Sequence, residues 1–564
     1  MYPTLFVVLG LLVYAAAYFL YGKWYDRTVW QPDPKRVTPA HMYMDGITFF
    51  PVSKYVLFGF QFKGIAGLGP ILGPFVALFY GWVPALIWIL LGNFFIGWIH
   101  DYSSLFMSVR NDGKTMGPLT YELISPRARN ALMGFLFFYL ILIISVFAVL
   151  CSLFFKIYPE SVLATVFLFI GGIVSGLMMY KAKAGIGLST LVGLILVVAG
   201  IVAGKYFPIT HESMVLWIIF TSVLLFIGGT LSLMYVMQPI VYVASYPAIF
   251  GIILLILGAL ISPITKVPIQ QIAWGGVLGT TGDVWNPGPI WPILTVSIAC
   301  GAISGWHSLV STSGSASQLD VETDALPVGG GSMLTEGLLA LASLAAYMVL
   351  TPDELKTLGG VKWSCLVEGA AKLIAPFTGG EIAVPWIKAF YAMWLELYAI
   401  TIGMIAVRFF WLVWSDVVGK SVLANKFVGS ILGLVISDIL AYTGAWINLW
   451  LLFGGSNQLL AGLALSLVTI YLAKVKRPTI YTLGPAVFMI ITCEAALIFE
   501  SVKFFRAIAL GKPFVKGPLA NYPTIAKGLN AIFGVFGLVL FVLGLMVAID
   551  AYRAYKKYKQ EAGA

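Results

Sequence analysis

The sequence predicts an all-α polytopic membrane protein of about 15 transmembrane helices, some of them broken in mid-span. Three observations carry that reading. Of 564 residues, 60% are hydrophobic and only 10% charged, against roughly a quarter charged in soluble domains. Apolar runs long enough to cross a hydrocarbon core of about 30 Å recur throughout, as in 132–155, 163–179 and 531–549. Glycine and proline crowd two of these runs, and lipid cannot satisfy the backbone groups that such residues set free.

In chain order the expected spans centre near residues 12, 68, 94, 143, 170, 196, 224, 250, 301, 341, 399, 437, 461, 493 and 541. The first, 2–21, has no basic stretch before it and carries Lys23 and Arg27 after it. That pattern reads as a retained helix with its N-terminus outside, not as a cleaved leader. Alternate threading then puts five basic groups on the cytoplasmic side. They are Lys23 to Arg36, Arg110 to Arg129, Lys181 with Lys183, Lys474 to Arg477, and the C-terminal "YRAYKKYKQEAGA". The expectation is a multi-pass protein of the cell (inner) membrane, with its C-terminus cytoplasmic. The net charge of +10 is then a positive-inside signal and calls for no nucleic acid. One stretch disobeys: Lys503 to Lys516 is basic and threads outside.

No large soluble domain fits between the spans, so 1–564 reads as one membrane domain. Within it, 45–350 is the expected core, with broken helices near 59–74 and 300–318. Residues 351–385 form an expected extracytoplasmic loop whose "VKWSCLVEGAAKLIAPF" suggests a surface-lying helix. Further spans fill 386–564. "GDVWNPGPIW", with Asp283, Trp285 and Asn286, reads as a structured outer loop. The four cysteines, Cys151, Cys300, Cys365 and Cys493, have neither disulfide nor zinc spacing.

The first broken stretch, "GFQFKGIAGLGPILGP", packs Gly64, Gly67, Gly69, Pro70, Gly73 and Pro74 around Lys63. Half-helix ends and unwound backbone of this kind coordinate substrate and ion in secondary transporters; close packing through small residues is the alternative. The second, "CGAISGWHSLVSTSGSASQLDVETD", carries Ser308, Ser311 and Thr312 with His307 near its middle. Its hydroxyls can bind a carboxylate or a hard cation, or bond harmlessly back to their own helix. A third interruption is expected in "WLLFGGSNQLLAGLAL", where Asn457 and Gln458 cap a helix or reach a cavity. The first two run in opposite directions through the membrane, the pattern of an inverted repeat. Buried ionisable groups are costly and therefore functional by default. Glu396, Arg408, Asp438 and Glu494 are of this kind, Asp438 and Glu494 being possible proton carriers, while His100 and Asp101 could gate or anchor.

Four stretches, taken together, resemble the carbon starvation protein A family of bacterial and archaeal membrane transporters. They are "DGITFFPVSKYVLFGFQFKGIAGLGPILGP", "HDYSSLFMSVRNDGK", the second broken stretch with the following "GGGSMLTEG", and "LFGGSNQLLAG". The resemblance covers 45–462 and implies kinship with the amino acid–polyamine–organocation superfamily, hence a LeuT-like inverted-repeat core. It implies ion-driven import of short peptides or small carboxylates such as pyruvate. The chain departs from the family at Phe60 and Gln61, where two histidines are usual, at Lys63 and Gly64, where small residues are usual, and at Ser315 to Ser317, where a Thr-Pro-Lys turn is usual.

On this reading the substrate lies between the two breaks. Lys63 binds its carboxylate, aided by backbone around Gly64, Gly67 and Gly69 and by Ser308, Ser311 and Thr312. Lys63 equally suits a cation site, as a built-in replacement for sodium. His307, Asp438 or Glu494 carries the coupled proton. No cofactor and no metal is expected, only H+ or Na+ as coupling ion; the partners are lipid and a small-molecule or peptide substrate. An amino acid transporter of the same fold is the alternative. A membrane enzyme is disfavoured, because HExxH and GxSxG are absent and only four histidines occur. A channel would need rings of like charge, and no P-loop supports direct ATP drive.

Overall fold

The computed structural model describes residues 1–358, 362–419, 421–442, 446–512, 514 and 521–563. It is helical throughout, with only isolated β-bridges such as Val52–Leu319 and no strand among the described residues. Eleven helices among these residues are long and apolar enough to cross a membrane. A twelfth span arises if the bent pair Lys54–Ile65 and Gly69–Tyr80 is counted as one. The expected segments near 224 and 437 fall in helices of 17 residues each, Met214–Thr230 and Lys426–Tyr442. That near 301 falls in short pieces, Ile290–Ser297, Ala299–Ala302 and Trp306–Val310. Hydropathy counts apolar residues in a window and is blind to where a helix stops, so these three segments read as full spans in the sequence.

The two ends of the bundle differ in chemistry. At one end Arg110 forks onto the buried Glu322, with Nε at 2.5 Å and Nη2 at 2.7 Å, and Arg36 lies 3.6 Å from the same carboxylate. Trp30 stacks on Tyr471 at 5.9 Å, Phe50 meets Tyr180, and Arg127 pairs with Asp550, so the five basic groups share this end. At the other end the loop after residue 265 is strapped down. Trp82 and Val83 N–H donate to Ile272 and Ala273 carbonyls, and Thr280 N–H to Phe79. Gly81, with φ +94, turns the chain here, and a Cβ on it would stand 2.4 Å from Ala273 O. Lys516, at the end of the basic stretch on this side, lies outside the described residues.

One expectation is corrected. The stretch at Gly454 to Gln458 is no break: the helix Trp446–Lys474 runs straight through it. Its glycines serve close packing instead, since a Cβ on Gly454 would lie 2.4 Å from Val296 O. The helix of 351–385, Lys362–Thr378, buries one face against the bundle and keeps Ser364, Glu368, Lys372 and Pro376 on its outer side. Cys365, Leu366, Ala370, Leu373 and Ile374 are buried, and Gly369 lies directly against the Ala346 backbone.

Candidate functional site: two interrupted helices and a buried charge cluster

The first interruption falls between Lys54–Ile65 and Gly69–Ala77, whose axes bend by 43°. Ala66 leaves the helical region, with ψ 102. Pro70 sits in the first turn of the second half, where its missing N–H costs nothing. The carbonyls released at the break find donors. Lys63 Nζ reaches back to Ala66 O at 2.9 Å, and Trp306 Nε1 donates to Gly64 O at 2.8 Å. Lys63 also donates to Thr401 Oγ1 at 2.8 Å and lies 4.1 Å above the Tyr398 ring. Fully buried, it is held by an oxygen, an oxygen and an aromatic face, the surroundings of a cation.

At the second interruption Ile303 is extended, between Ala299–Ala302 and Trp306–Val310. Asn457 and Gln458 satisfy what the break exposes. Asn457 Oδ1 accepts from Tyr139 hydroxyl at 2.6 Å, Ser304 at 3.1 Å and the Trp306 N–H at 2.9 Å, and its backbone carbonyl accepts from Gly305 N–H. Gln458 Nε2 lies within 3.0–3.4 Å of the carbonyls of Thr295, Ile298, Ala299 and Ile303. The two breaks touch: a Cβ on Gly69 would sit 2.6 Å from Cys300 Sγ. Between them remains a cavity of about 10 Å³, lined by Ile65, Gly67, Cys300, Trp306 and Phe453, about the room of one water.

Beside the breaks lies a fully buried ionisable cluster. Asp101 takes one imidazole on each oxygen, His100 Nδ1 at 2.7 Å and His307 Nδ1 at 2.8 Å. His307 Nε2 faces Glu336 Oε2 at 3.0 Å, an ion-pair contact outside hydrogen-bond geometry. Each of the three helices that supply these groups adjoins a π-helical turn, at Asn93–Gly97, Ser311–Ser315 and Leu326–Gly331. Such turns gather at functional sites, because the extra residue re-aims the side chains beyond it. Cys300, His307 and Glu336 also bring ligand-capable atoms within 4.8 Å of one another. The His307–Glu336 contact fills that space with a charge pair.

The structure thus brings together Lys63, Gly64, Gly67, Gly69, His307, Ser308, His100, Asp101, Asn457 and Gln458. Ser308 and Thr312 hydroxyls are turned to their own helix, donating to Gly305 O and Ser308 O. Ser311 accepts from Gln61 Nε2 at 2.9 Å, and Ser315 donates to Gln61 Oε1 at 2.5 Å, so Gln61 bridges both broken helices. Asp438 and Glu494 lie elsewhere. Asp438 accepts from Ser222 on both oxygens, and Glu494 faces Gly544 of a neighbouring helix. Glu336 escaped the sequence reading although it stands in "GGGSMLTEG", a carboxylate within an apolar helix, and the rule that flagged Glu494 applies to it equally. Thr401 and Tyr398 carry no such local signal.

Fold and site define an all-helical, multi-pass membrane protein with a buried charge cluster at two interrupted helices. The family model described as carbon starvation protein CstA matches residues 2–363 and 357–496, and the chain belongs to that family. It is 28% identical to the peptide transporter CstA of Campylobacter jejuni, over 86% of this chain and 78% of that one. With the peptide transporter CstA of Bacillus subtilis it shares 26%, over 87% and 89%. The pyruvate/proton symporter BtsT of Escherichia coli is 31% identical over 61% of this chain and 49% of its own. Among solved structures, a mutant manganese transporter of Eremococcus coleocola aligns with 90% of this chain and 99% of its own, at 11% identity and a TM-score of 0.38. A likeness that low bears on neither fold nor cargo.

Proposed function

We propose that the chain is a secondary active transporter that imports short peptides or small carboxylates such as pyruvate, driven by the proton gradient. The observation that carries this is His307, clasped between Asp101 and Glu336 where the two broken helices meet. A charged imidazole hydrogen-bonds through Nδ1 to Asp101 on Trp98–Arg110 and forms an ion pair through Nε2 with Glu336 on Ser332–Met348. Without that proton it keeps only one partner. Proton occupancy therefore decides whether those two helices are tied together through the substrate-binding break. Lys63 acts as the tethered cation of the site, sitting on the Ala66 carbonyl and the Thr401 hydroxyl that would otherwise face a sodium ion. A chain so equipped needs no sodium. The names of the relatives support this reading, both the peptide transporters and the pyruvate/proton symporter.

The basic end faces the cytoplasm of a cell (inner) membrane, which leaves the N-terminus outside and the C-terminus inside. The two 17-residue helices and the chain of short pieces near 301 count as spans in this arrangement, bringing the total to about 15. The broken helices then run in opposite directions, as in a LeuT-like inverted repeat. The test is uptake of labelled alanyl-alanine and of pyruvate into proteoliposomes, under an imposed pH gradient and, separately, a sodium gradient. Uptake driven by pH and indifferent to sodium is expected; uptake driven by sodium alone would overturn the coupling proposed.

A further inference from the structure

The end opposite the basic groups holds a cavity of about 770 Å³ that the transport reading leaves without a role. That volume suits a small organic ligand, for which pockets run about 300–1,000 Å³. One wall is Phe75, Val76, Leu78 and Phe79, the outer part of the second half-helix of the first break. The opposite wall is the strapped loop, with Thr280 and Asn286. Its position is set by backbone bonds to Phe79 and Tyr80 and by Trp285, which stacks on Phe499 at 5.4 Å. The lining is largely apolar, and its cationic groups are Lys356 at the rim and Lys503, whose side chain is only 12% exposed. Lys503 Nζ forms an ion pair with the buried Glu500, 3.6 Å from its Oε2, and lies over the Phe514 ring at 5.7 Å.

The floor connects to the breaks. Trp450 lines this cavity, Phe453 lines the small cavity between the two interruptions, and their rings lie 5.5 Å apart on one helix. Two aromatic side chains thus stand between the large outer chamber and the closed inner one.

The geometry points to an outer waiting site, in which the C-terminal carboxylate of a short peptide sits on Lys503, its apolar body lies along Phe75 and Trp450, and the Trp450–Phe453 pair parts to pass it inward. This rests on the transport reading above. It gives a purpose to the one basic stretch that disobeys the positive-inside pattern: cations at an outer mouth gather anionic groups. A three-carbon acid would leave most of the chamber empty, and a peptide, with its longer apolar body, fills more of it.

The experiment reads occupancy directly. The four native cysteines are buried, so Thr280→Cys supplies an exposed thiol at the chamber wall for an impermeant maleimide added outside intact proteoliposomes. Alanyl-alanine at about 1 mM, the upper end of common KM values, is expected to slow labelling about threefold or more. Its C-terminal amide and pyruvate should not. The protection should vanish with Lys503→Gln and return with Lys503→Arg. Equal protection by the amide would overturn the carboxylate contact, and equal protection by pyruvate would overturn the peptide as occupant. Peptide uptake without any protection overturns the waiting site, whereas protection without uptake overturns the transport reading and leaves this site standing.

Discussion

Replacing Asp101 with asparagine removes one negative charge from between two imidazoles while keeping the size and shape of the side chain. In the native protein each carboxylate oxygen meets one ring nitrogen, at 2.7 and 2.8 Å, and all three side chains are fully buried. Asparagine offers one accepting oxygen, and its amide group can only donate. One of the two imidazoles must therefore lose its partner or change tautomer, and His307 retains Glu336 alone. Removing one partner of a buried ion pair costs about 3–5 kcal/mol, because the remaining charge is left uncompensated. At 1.4 kcal/mol per decade that is a factor of ~10² to 4 × 10³ against the charged, clasped state. Uptake driven by a pH gradient should fall by about that factor. Counterflow of labelled substrate at equal pH does not draw on the gradient and should fall less than about tenfold. It also reports that the protein is folded and the binding site intact. Gradient-driven uptake within about threefold of the parent in Asp101→Asn would refute the clasped imidazole as the coupling element.

Lys63→Ala empties the space between Ala66 O, Thr401 Oγ1 and the Tyr398 ring, so uptake should become dependent on added sodium; transport that survives unchanged without sodium removes Lys63 from the mechanism. Asn457→Ala strips the acceptor from Tyr139, Ser304 and Trp306 N–H, and at about 1–3 kcal/mol for each buried group left unsatisfied the midpoint of thermal unfolding should drop by several degrees, whereas Asn457→Asp should fall less because it keeps the acceptor. At the chamber rim, burial alone would raise the Glu354 carboxyl. Lys372 at 2.5 Å and the Thr351 N–H and hydroxyl outweigh it and hold Glu354 below the usual carboxylate range. The stability this adds to the helix Pro352–Thr357 is present above the unfolded-state value and lost as pH falls through the depressed one. Amide exchange across 351–358, corrected for intrinsic rate, should therefore stay flat near neutrality and quicken only in acid; Glu354→Gln should be quick and pH-independent.

Residue by residue, composition alone decided that this chain lives in a membrane, since nothing else accounts for apolar runs of this length and number. It also decided where helices must fail: Gly64 to Pro74 and Gly301 to Gly314 carry too many breakers for lipid to accept. At Gly454 and Gly455 the same rule failed, because glycine also serves where a neighbour presses against a continuous helix, the Val296 carbonyl at Gly454 and the Leu497 side chain at Gly455. Only the packed bundle could tell a breaking glycine from a packing one. Hydropathy and helix periodicity are local, reaching a few turns along the chain. The bond from His307 to Asp101 spans 206 positions and that from Lys63 to Thr401 spans 338. The clasped imidazole, the cation seat of Lys63 and the outer chamber exist only because distant helices meet, and that meeting is set by the tertiary fold.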